Sequence, residues 1–440
     1  VPGFEEKETN PMKRNVLIIG AGGVAHVVAH KCAQSNALLG DIHIASRTLA
    51  SCERIIASIG EKNSAQQQGL FRAHALDALD IAATARLIRQ TGSRIVINVG
   101  SPFLNMSVLT ACIKTGAAYL DTAIHEDPFK VCETPPWYAN HEWKRREACR
   151  AAGVTAILGV GFDPGVVNAY ARYAVDHCFD TVDSLDIIDV NAGSHGRYFA
   201  TNFDPEINFR EFVSTAWSWE DNAWKANAMF EHRRDWELPA IGRHTTYLTG
   251  HDEIHSLSQN LAIAQIRFWM GFSDHYINVF TVLKRLGLLS EQPVRTARGQ
   301  EVVPLEVVKA VLPVPASLAP DYTGLTCIGD LARGTRDGRS REVLIYNLCD
   351  HKACFEEVGS QAISYTAGVP AVAAAILIAQ GVWDVRRMVN VEELDPLPFI
   401  ALMNDIGLTT RIRDDHGDRI LVPDENPAVA PRPRLLANAR

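Results

Sequence analysis

Asn15-Val-Leu-Ile-Ile-Gly-Ala-Gly-Gly-Val-Ala25 is where this 440-residue chain first becomes patterned. Val16 to Ile19 is an unbroken apolar run, which predicts a strand buried on both faces of a parallel sheet. Gly20, Gly22 and Ala25 then fit the G-x-G-x-x-G/A turn. In that turn the first glycine permits the tight bend and the second lets a pyrophosphate approach the backbone. The small third residue lets the following helix pack close to the strand. Gly23 and Val24 begin the helix, whose N-terminal N–H groups would face the phosphate. A glycine turn alone is a weak sign. Strand, turn and helix in this order predict a dinucleotide-binding domain.

The next strand bears on which dinucleotide. Asp41-Ile-His-Ile-Ala-Ser-Arg-Thr48 alternates and then ends on Ser46, Arg47 and Thr48. An NAD site usually carries Asp or Glu there for the ribose 2′-hydroxyl. Arg47 offers a permanently charged fork, and Ser46 and Thr48 add hydroxyls, so the expected cofactor is NADP(H). The plain alternative is a surface arginine after a strand. His74 to Asp77 reads as the end of a third strand, with Asp77 near the adenine. Arg94 to Gly100 is a fourth strand, followed by Gly100-Ser101-Pro102 at the carboxyl edge, where ligands of open α/β sheets collect. Ala118 to Thr122 and Val154 to Gly159 read as strands five and six. Thr122 and Gly161 fall on the same cofactor-binding edge.

The expected fold class is α/β. An N-terminal Rossmann-type, doubly wound parallel sheet over residues 12–164 is joined by a second, α+β domain over 165–351 with a mixed or antiparallel sheet. In the second domain Val182–Val190 and Glu342–Leu348 look strand-like. Gly368 to Gly381 predicts a helix with Pro370 in its first turn and Gly381 at its end. Its small residues suit close packing back on the nucleotide domain, which helices within 352–412 would complete. Residues 413–440 read as a tail, and Met12 reads as a natural start.

Net charge is −8 with no long basic run, so neither nucleic acid nor an anionic membrane is an expected partner. The longest uncharged stretch, within 358–383, is broken by Pro370 and glycines and does not read as a membrane span. Nine scattered cysteines without a C-x-x-C pair suggest reduced thiols in a cytoplasmic protein, with no zinc site and no metal.

Four polar clusters could carry chemistry. Gly159-Val-Gly-Phe-Asp-Pro-Gly165 closes the sixth strand, and Asp163 is its only charge. Either Asp163 serves the reaction, or it bonds its own backbone in an Asp-Pro-Gly turn. The stretch Asp189 to Asp204 holds Asp189, Asn191, His195, Arg197, Asn202 and Asp204. It is a functional loop or an ordinary long connection. His251 or His351 could shuttle a proton, or be satisfied core histidines. Trp217, Trp219 and Trp224 could wall a cation, though core packing explains them as well. Cys349 beside Asp350 and His351 reads as a buried thiol rather than a nucleophile.

Four of these stretches carry a resemblance. Gly20–Gly23, Ala45–Thr48, Gly161–Gly165 and Ala367–Ala371 resemble the saccharopine dehydrogenase superfamily. Asp186–Gly193, Phe199–Pro205, Phe268–Phe272, Ala319–Gly329 and Gln361–Pro370 are similar to the branch that builds carboxynorspermidine and carboxyspermidine. Val99-Gly-Ser-Pro102 departs from it, since a second proline or a tryptophan often stands there.

The resemblance implies condensation of L-aspartate β-semialdehyde with 1,3-diaminopropane or putrescine, and NADPH reduction of the imine. Asp163, His251 and Asp204 are then the candidate acid–base groups. Asp189, Asp204 and Trp219 would receive the remote ammonium. Arg197, with Asn191, His195 and Asn202 beside it, would receive the carboxylate. A saccharopine reductase-like activity and a non-catalytic NADP(H) sensor are the rival readings. A half-exposed second sheet suggests a homodimer.

Overall fold

The computed structural model describes residues 13–36, 38–130 and 133–423. Met12, Cys132 and the last part of the expected tail lie outside these. The first six strands are β1 (Arg14–Ile19), β2 (Leu39–Ser46), β3 (Phe71–Ala75), β4 (Ile95–Asn98), β5 (Ala118–Asp121) and β6 (Ala156–Leu158). They form a parallel sheet in the order β6-β5-β4-β1-β2-β3. The order reverses between β1 and β4, which opens a crevice at their carboxyl ends. Val16 and Ile18 enter one core layer, Leu17 and Ile19 the other. That is why β1 is apolar throughout instead of alternating.

A seventh strand, Met388–Asn390, pairs in parallel with β6 on the far edge. It is three residues long and follows two arginines, too short to leave a pattern in the sequence.

The second sheet has ten strands and is mixed. Leu325–Arg336 lies between Thr181–Asn191 and Arg339–Asp350, antiparallel to both. Gln265–Gly271 runs parallel to Thr181–Asn191. One face packs under helices through Leu185, Ile187, Phe268 and Ile345. On the other face, buried Asp186 is ringed by Arg234, Arg267 and Arg333.

Two expectations need correction. The helix expected from Gly368 runs from Ala362 to Ala379, so Pro370 is interior rather than in the first turn. Gln361 starts it early by accepting the Ile363 N–H (2.8 Å). Burial of 15 of its 18 residues holds it past the proline. It is the one helix among the described residues long and apolar enough to cross a membrane, and 83% of it is buried inside the protein. The second correction concerns residues 413–420. They are no tail: Thr410–Asp414 pairs with Arg339–Asp350, and Gly417–Ile420 folds back on it. The charges that suggested a tail pair with one another, Asp414 with Arg341 and Arg419, Asp418 with Arg411 and Arg413.

The long helix lies against α1 (Gly23–Gln34). A Cβ on Gly23 would come within 2.6 Å of Ser364 Oγ, and one on Gly368 within 2.9 Å of Val27 Cβ. Glycine at both positions lets the helices touch, and this sets Ile363, Ser364 and Ala367 beside Val24 on the cleft.

Candidate active site

The glycine turn is built for a phosphate. Gly20 sits at φ +114°, and a Cβ there would meet Val99 O at 2.8 Å. Gly22 faces open space, with nothing within 4 Å of an added Cβ. It caps α1 without any side-chain bond, and the first turn holds no acid. The N–H groups of that turn are therefore free for an anion. At the end of β2, Ser46 Oγ donates to Thr48 O (3.0 Å) and accepts the Thr48 N–H (3.2 Å). Arg47 is exposed beside this small loop, with no ion-pair partner among the described residues. Asp77 is exposed and accepts the Leu79 N–H (3.1 Å). Asn98 accepts from Gly100 N (3.3 Å) and bonds Asn105 (2.8 Å), which shapes the loop carrying Ser101 and Pro102. These residues fit NADP(H). Arg47→Ala should weaken NADPH binding at least tenfold while changing NADH little. A titration that shows equal losses for both would remove Arg47 from the 2′-phosphate.

A cleft of about 280 Å³ runs from this edge into the second domain. Val24, Pro102, Thr122 and Gly161 line its cofactor side, and Asp163, Asp189, Glu211 and His251 line its floor. The 159–165 segment is a tight turn closed by Gly161 N to Pro164 O (2.8 Å) and Val166 N to Gly161 O (3.1 Å). The turn satisfies itself through its backbone. The Asp163 carboxylate has no hydrogen-bond partner among the described residues and lines the cleft. Burial lifts it well above the usual carboxylate range, with Asp189, Glu253 and Glu211 adding repulsion and His251 opposing. Asp189 is pushed up to about 6 for the same reason.

Among the described residues, His251 is the basic group in contact with this acid group, through Glu211 and Glu253. Its ring stacks on Phe268 with centroids 4.0 Å apart. Nδ1 bonds Glu253 Oε2 at 2.6 Å, and Nε2 lies 3.5 Å from Glu211 Oε1. Burial disfavours its proton, but Glu253, Glu211 and Asp163 outweigh that and hold the imidazolium well above its ordinary pKa. Glu253 is fully buried, so it fixes the ring and its Nδ1–H. The result is a proton donor whose Nε2 faces the cleft.

A second cavity of about 290 Å³ adjoins the cleft. Asp189, Phe203, Met270 and Ile363 line both. Asn191, His195, Arg197 and Asn202 gather here. Asn191 and Asn202 both bond the Tyr322 hydroxyl at 2.7 Å. Arg197 stands half-exposed at the rim, 3.7 Å from Asp321.

Residues 16–157 match the model described as the saccharopine dehydrogenase NADP binding domain, and residues 161–408 the saccharopine dehydrogenase C-terminal domain. The chain belongs to the saccharopine dehydrogenase family. It is accordingly an NADP-dependent oxidoreductase. A carboxynorspermidine synthase of Vibrio alginolyticus is 46% identical over 91% of this chain and 97% of its own. A carboxyaminopropylagmatine dehydrogenase of Synechocystis is 44% identical over 89% and 96%. The saccharopine dehydrogenase (L-Glu forming) of Saccharomyces cerevisiae has the same fold, with a TM-score of 0.66 over 91% of this chain and 99% of that one, at 13% identity.

Within this saccharopine dehydrogenase family member, Asp163, Asp189 and His251 come together from three distant segments. Asp204 does not join them. It caps helix Pro205–Val213 by accepting from Glu206 N (2.9 Å), and it is exposed. Trp219 also stands away from the cleft, donating to Ile263 O (3.1 Å) and packing edge-on to Trp224. His351 is structural. It accepts from Ala362 N (3.2 Å), so its other nitrogen carries the proton to Asn191 Oδ1 (3.0 Å). Cys349 is buried 3.2 Å from Cys354. Glu211 and Arg210 escaped the sequence reading, which gives Glu253 no role beyond closing the polar stretch Gly250–Glu253. Glu253 alone had a signal, two residues beyond His251.

One further carboxyl, Asp330, lies behind this floor, fully buried with neither oxygen hydrogen-bonded among the described residues. Burial, helped by Glu253 and Asp163, holds its pKa well above normal. The folded chain keeps this proton where the unfolded chain, with a pKa of about 3.9, has lost it. Stability is therefore lost as pH rises from that value toward the folded one. Asp330→Asn removes the penalty. Its Tm should exceed wild type, and by more at pH 8 than at pH 5. A Tm difference that shrinks with rising pH would reverse the assignment.

Proposed function

We propose that this enzyme reductively condenses L-aspartate β-semialdehyde with an amine that bears a second cationic group. That amine is a short diamine (1,3-diaminopropane or putrescine) or a guanidinium-ended amine such as agmatine. The observation that carries this is the cleft floor, where the carboxyl groups of Asp163, Asp189 and Glu211 gather around His251. Such a site attracts a polycation and repels an anionic amine. The names of the relatives, carboxynorspermidine synthase and carboxyaminopropylagmatine dehydrogenase, agree in joining a carboxyl-bearing carbon chain to an amine of this kind.

The protein's own groups supply the condensation chemistry. Asp163 and Asp189 hold the amine and favour the cationic iminium electrostatically. His251 gives its Nε2 proton to the carbinolamine hydroxyl, which leaves as water, while Glu253 keeps the ring in place. Arg197 and Asn202 line the adjoining cavity, and the amino-acid carboxylate would lie there. Bound NADPH supplies the hydride that reduces the iminium carbon.

A glutamate-accepting, saccharopine reductase-like reaction is the competing reading. It wants free cations in the cleft. Arg210 and Lys130 line the cleft: the Arg210 guanidinium is already bonded to Glu126, Glu291 and two carbonyls, while exposed Lys130 has no ion pair among the described residues and is a cation this rival could use. The deciding experiment follows NADPH oxidation with the semialdehyde plus 1,3-diaminopropane, putrescine, agmatine or glutamate. Turnover that requires the semialdehyde and one of the polycationic amines is expected. Turnover with glutamate alone would transfer the reading to its rival.

A further inference from the structure

We propose that Glu211 takes the proton from the incoming ammonium and returns it, through His251, to the water that leaves. The inference rests on the reductive condensation proposed above. An amine is inert as a nucleophile while protonated, and a cleft that binds cations selects that inert form. Some group must accept the proton at the site.

Geometry selects Glu211. It sits on helix Pro205–Val213, where Phe209 and Phe212 are buried in an aromatic cluster with Phe280. That packing turns Glu211 to the cleft, with its side chain 18% exposed. Its Oε1 is buried and accepts no hydrogen bond among the described residues. It is also the cleft carboxylate within ion-pair reach of the catalytic nitrogen, 3.5 Å from His251 Nε2. Asp163 and Asp189 lie beyond that reach among the described residues. The gap of 3.5 Å is long for a direct hydrogen bond. An N–H or O–H group that reaches the carboxyl group from the cleft, where the side chain is part-exposed, would bond it close to the imidazolium.

The electrostatic setting suits a base. Burial pushes the Glu211 carboxyl up to about 8, His251 pulls it down, and Asp252, Glu126 and Asp189 push it further up. Tyr276, from helix Asp274–Arg285, is neutral and bonds Asn208. Arg210, on helix Pro205–Val213 with Glu211, is engaged by Glu126 and Glu291. An alkylammonium has a pKa of about 10. An ordinary carboxylate is about six pH units too weak to deprotonate it well, whereas this one falls short by only about two.

The steps balance. R–NH3+ gives a proton to Glu211. The nitrogen lone pair attacks the aldehyde carbon, the C–N bond forms, and the carbonyl electrons move to oxygen. A proton passes from nitrogen to that oxygen, giving the neutral carbinolamine. His251 protonates the hydroxyl, the C–O bond breaks, and the nitrogen lone pair forms C=N. Glu211 then returns its proton to Nε2. The sum is ammonium plus aldehyde to iminium plus water, with both side chains restored and no other reactant.

The test is Glu211→Gln, assayed with the amine that wild type uses best and with its difluorinated, weakly basic analogue. Wild-type kcat/KM for the amine should rise with pH up to about 8. The variant should lose about 100-fold at pH 7, less than tenfold at pH 9.5, and much less at either pH with the fluorinated amine, a large part of which is unprotonated at pH 7. NADPH titration by fluorescence reports that the variant is folded. If it does not fold, Glu211→Asp should keep the pH-dependent limb at reduced rate. A loss equal at every pH and for both amines makes Glu211 a binding group only and overturns the proposal. Should wild type itself show no amine-dependent turnover, it is the reductive condensation that fails, a distinct outcome.

Discussion

His251→Ala should lower kcat by about 10²–10⁴-fold with NADPH affinity unchanged. The imidazolium sits among Glu253, Glu211 and Asp163 and lines the cleft near the cofactor-binding edge without being part of the glycine turn. Its loss removes the proton donor for dehydration. It also strips the acid cluster of the cation that lowers its pKa values, so burial pushes the neighbouring carboxyls further up and they hold the amine less well. KM for the amine should therefore rise along with the fall in kcat. Glu253→Gln should give a smaller drop, because the ring keeps its place but loses the partner that stabilises its charge. Steady-state kinetics beside a nucleotide titration separate these effects. A kcat within threefold of wild type, in a variant that binds NADPH normally, would remove His251 from the chemistry.

Arg210→Met should cost stability more than any other single change at the cleft. The guanidinium is 3% exposed and makes four hydrogen bonds, to Glu126 (2.8 Å), Glu291 (2.7 Å), Asp127 O (2.8 Å) and Lys130 O (2.7 Å). It stitches the loop after β5 to helix Pro205–Val213 of the second domain. Breaking a buried ion pair from one side costs about 3–5 kcal/mol. The lower end applies here, since both glutamates are nearly one-third exposed and water relieves part of the loss. Thermal unfolding should shift down and the amine KM should rise, since the loop carrying Glu126 lines the cleft. An unchanged melting curve would mean that the loop is held by other contacts, such as Ile124 N to Asp252 (2.7 Å).

Legibility followed chain distance. The glycine turn, the β2 terminus and the alternation of strands could be read because each signal is written within a few neighbouring residues. The assembly of the acid cluster could not, although Asp163 and Asp189 were each singled out. Asp163, Asp189, Glu211 and Glu253 come from four segments, and no local pattern distinguishes Glu211 from any surface glutamate. Asp204 misled for a physical reason. Asp-Pro-Glu at 204–206 is a helix-start signal, an N-cap followed by proline at the first position, and its polarity mimicked a site. Pro370 misled in the opposite sense, since burial on every side overrode its local preference.

The strand Met388–Asn390 carries a consequence for how the molecule is made. Its partner β6 leaves the ribosome long before it, yet that edge of the sheet stays unpaired until Met388 follows. Translation at about 5–20 residues per second leaves the edge waiting on the order of 10–50 s. During that interval the second domain is synthesised between the two halves of the first. A nascent chain stalled anywhere in it presents an open strand to whatever chaperone or neighbouring chain arrives first.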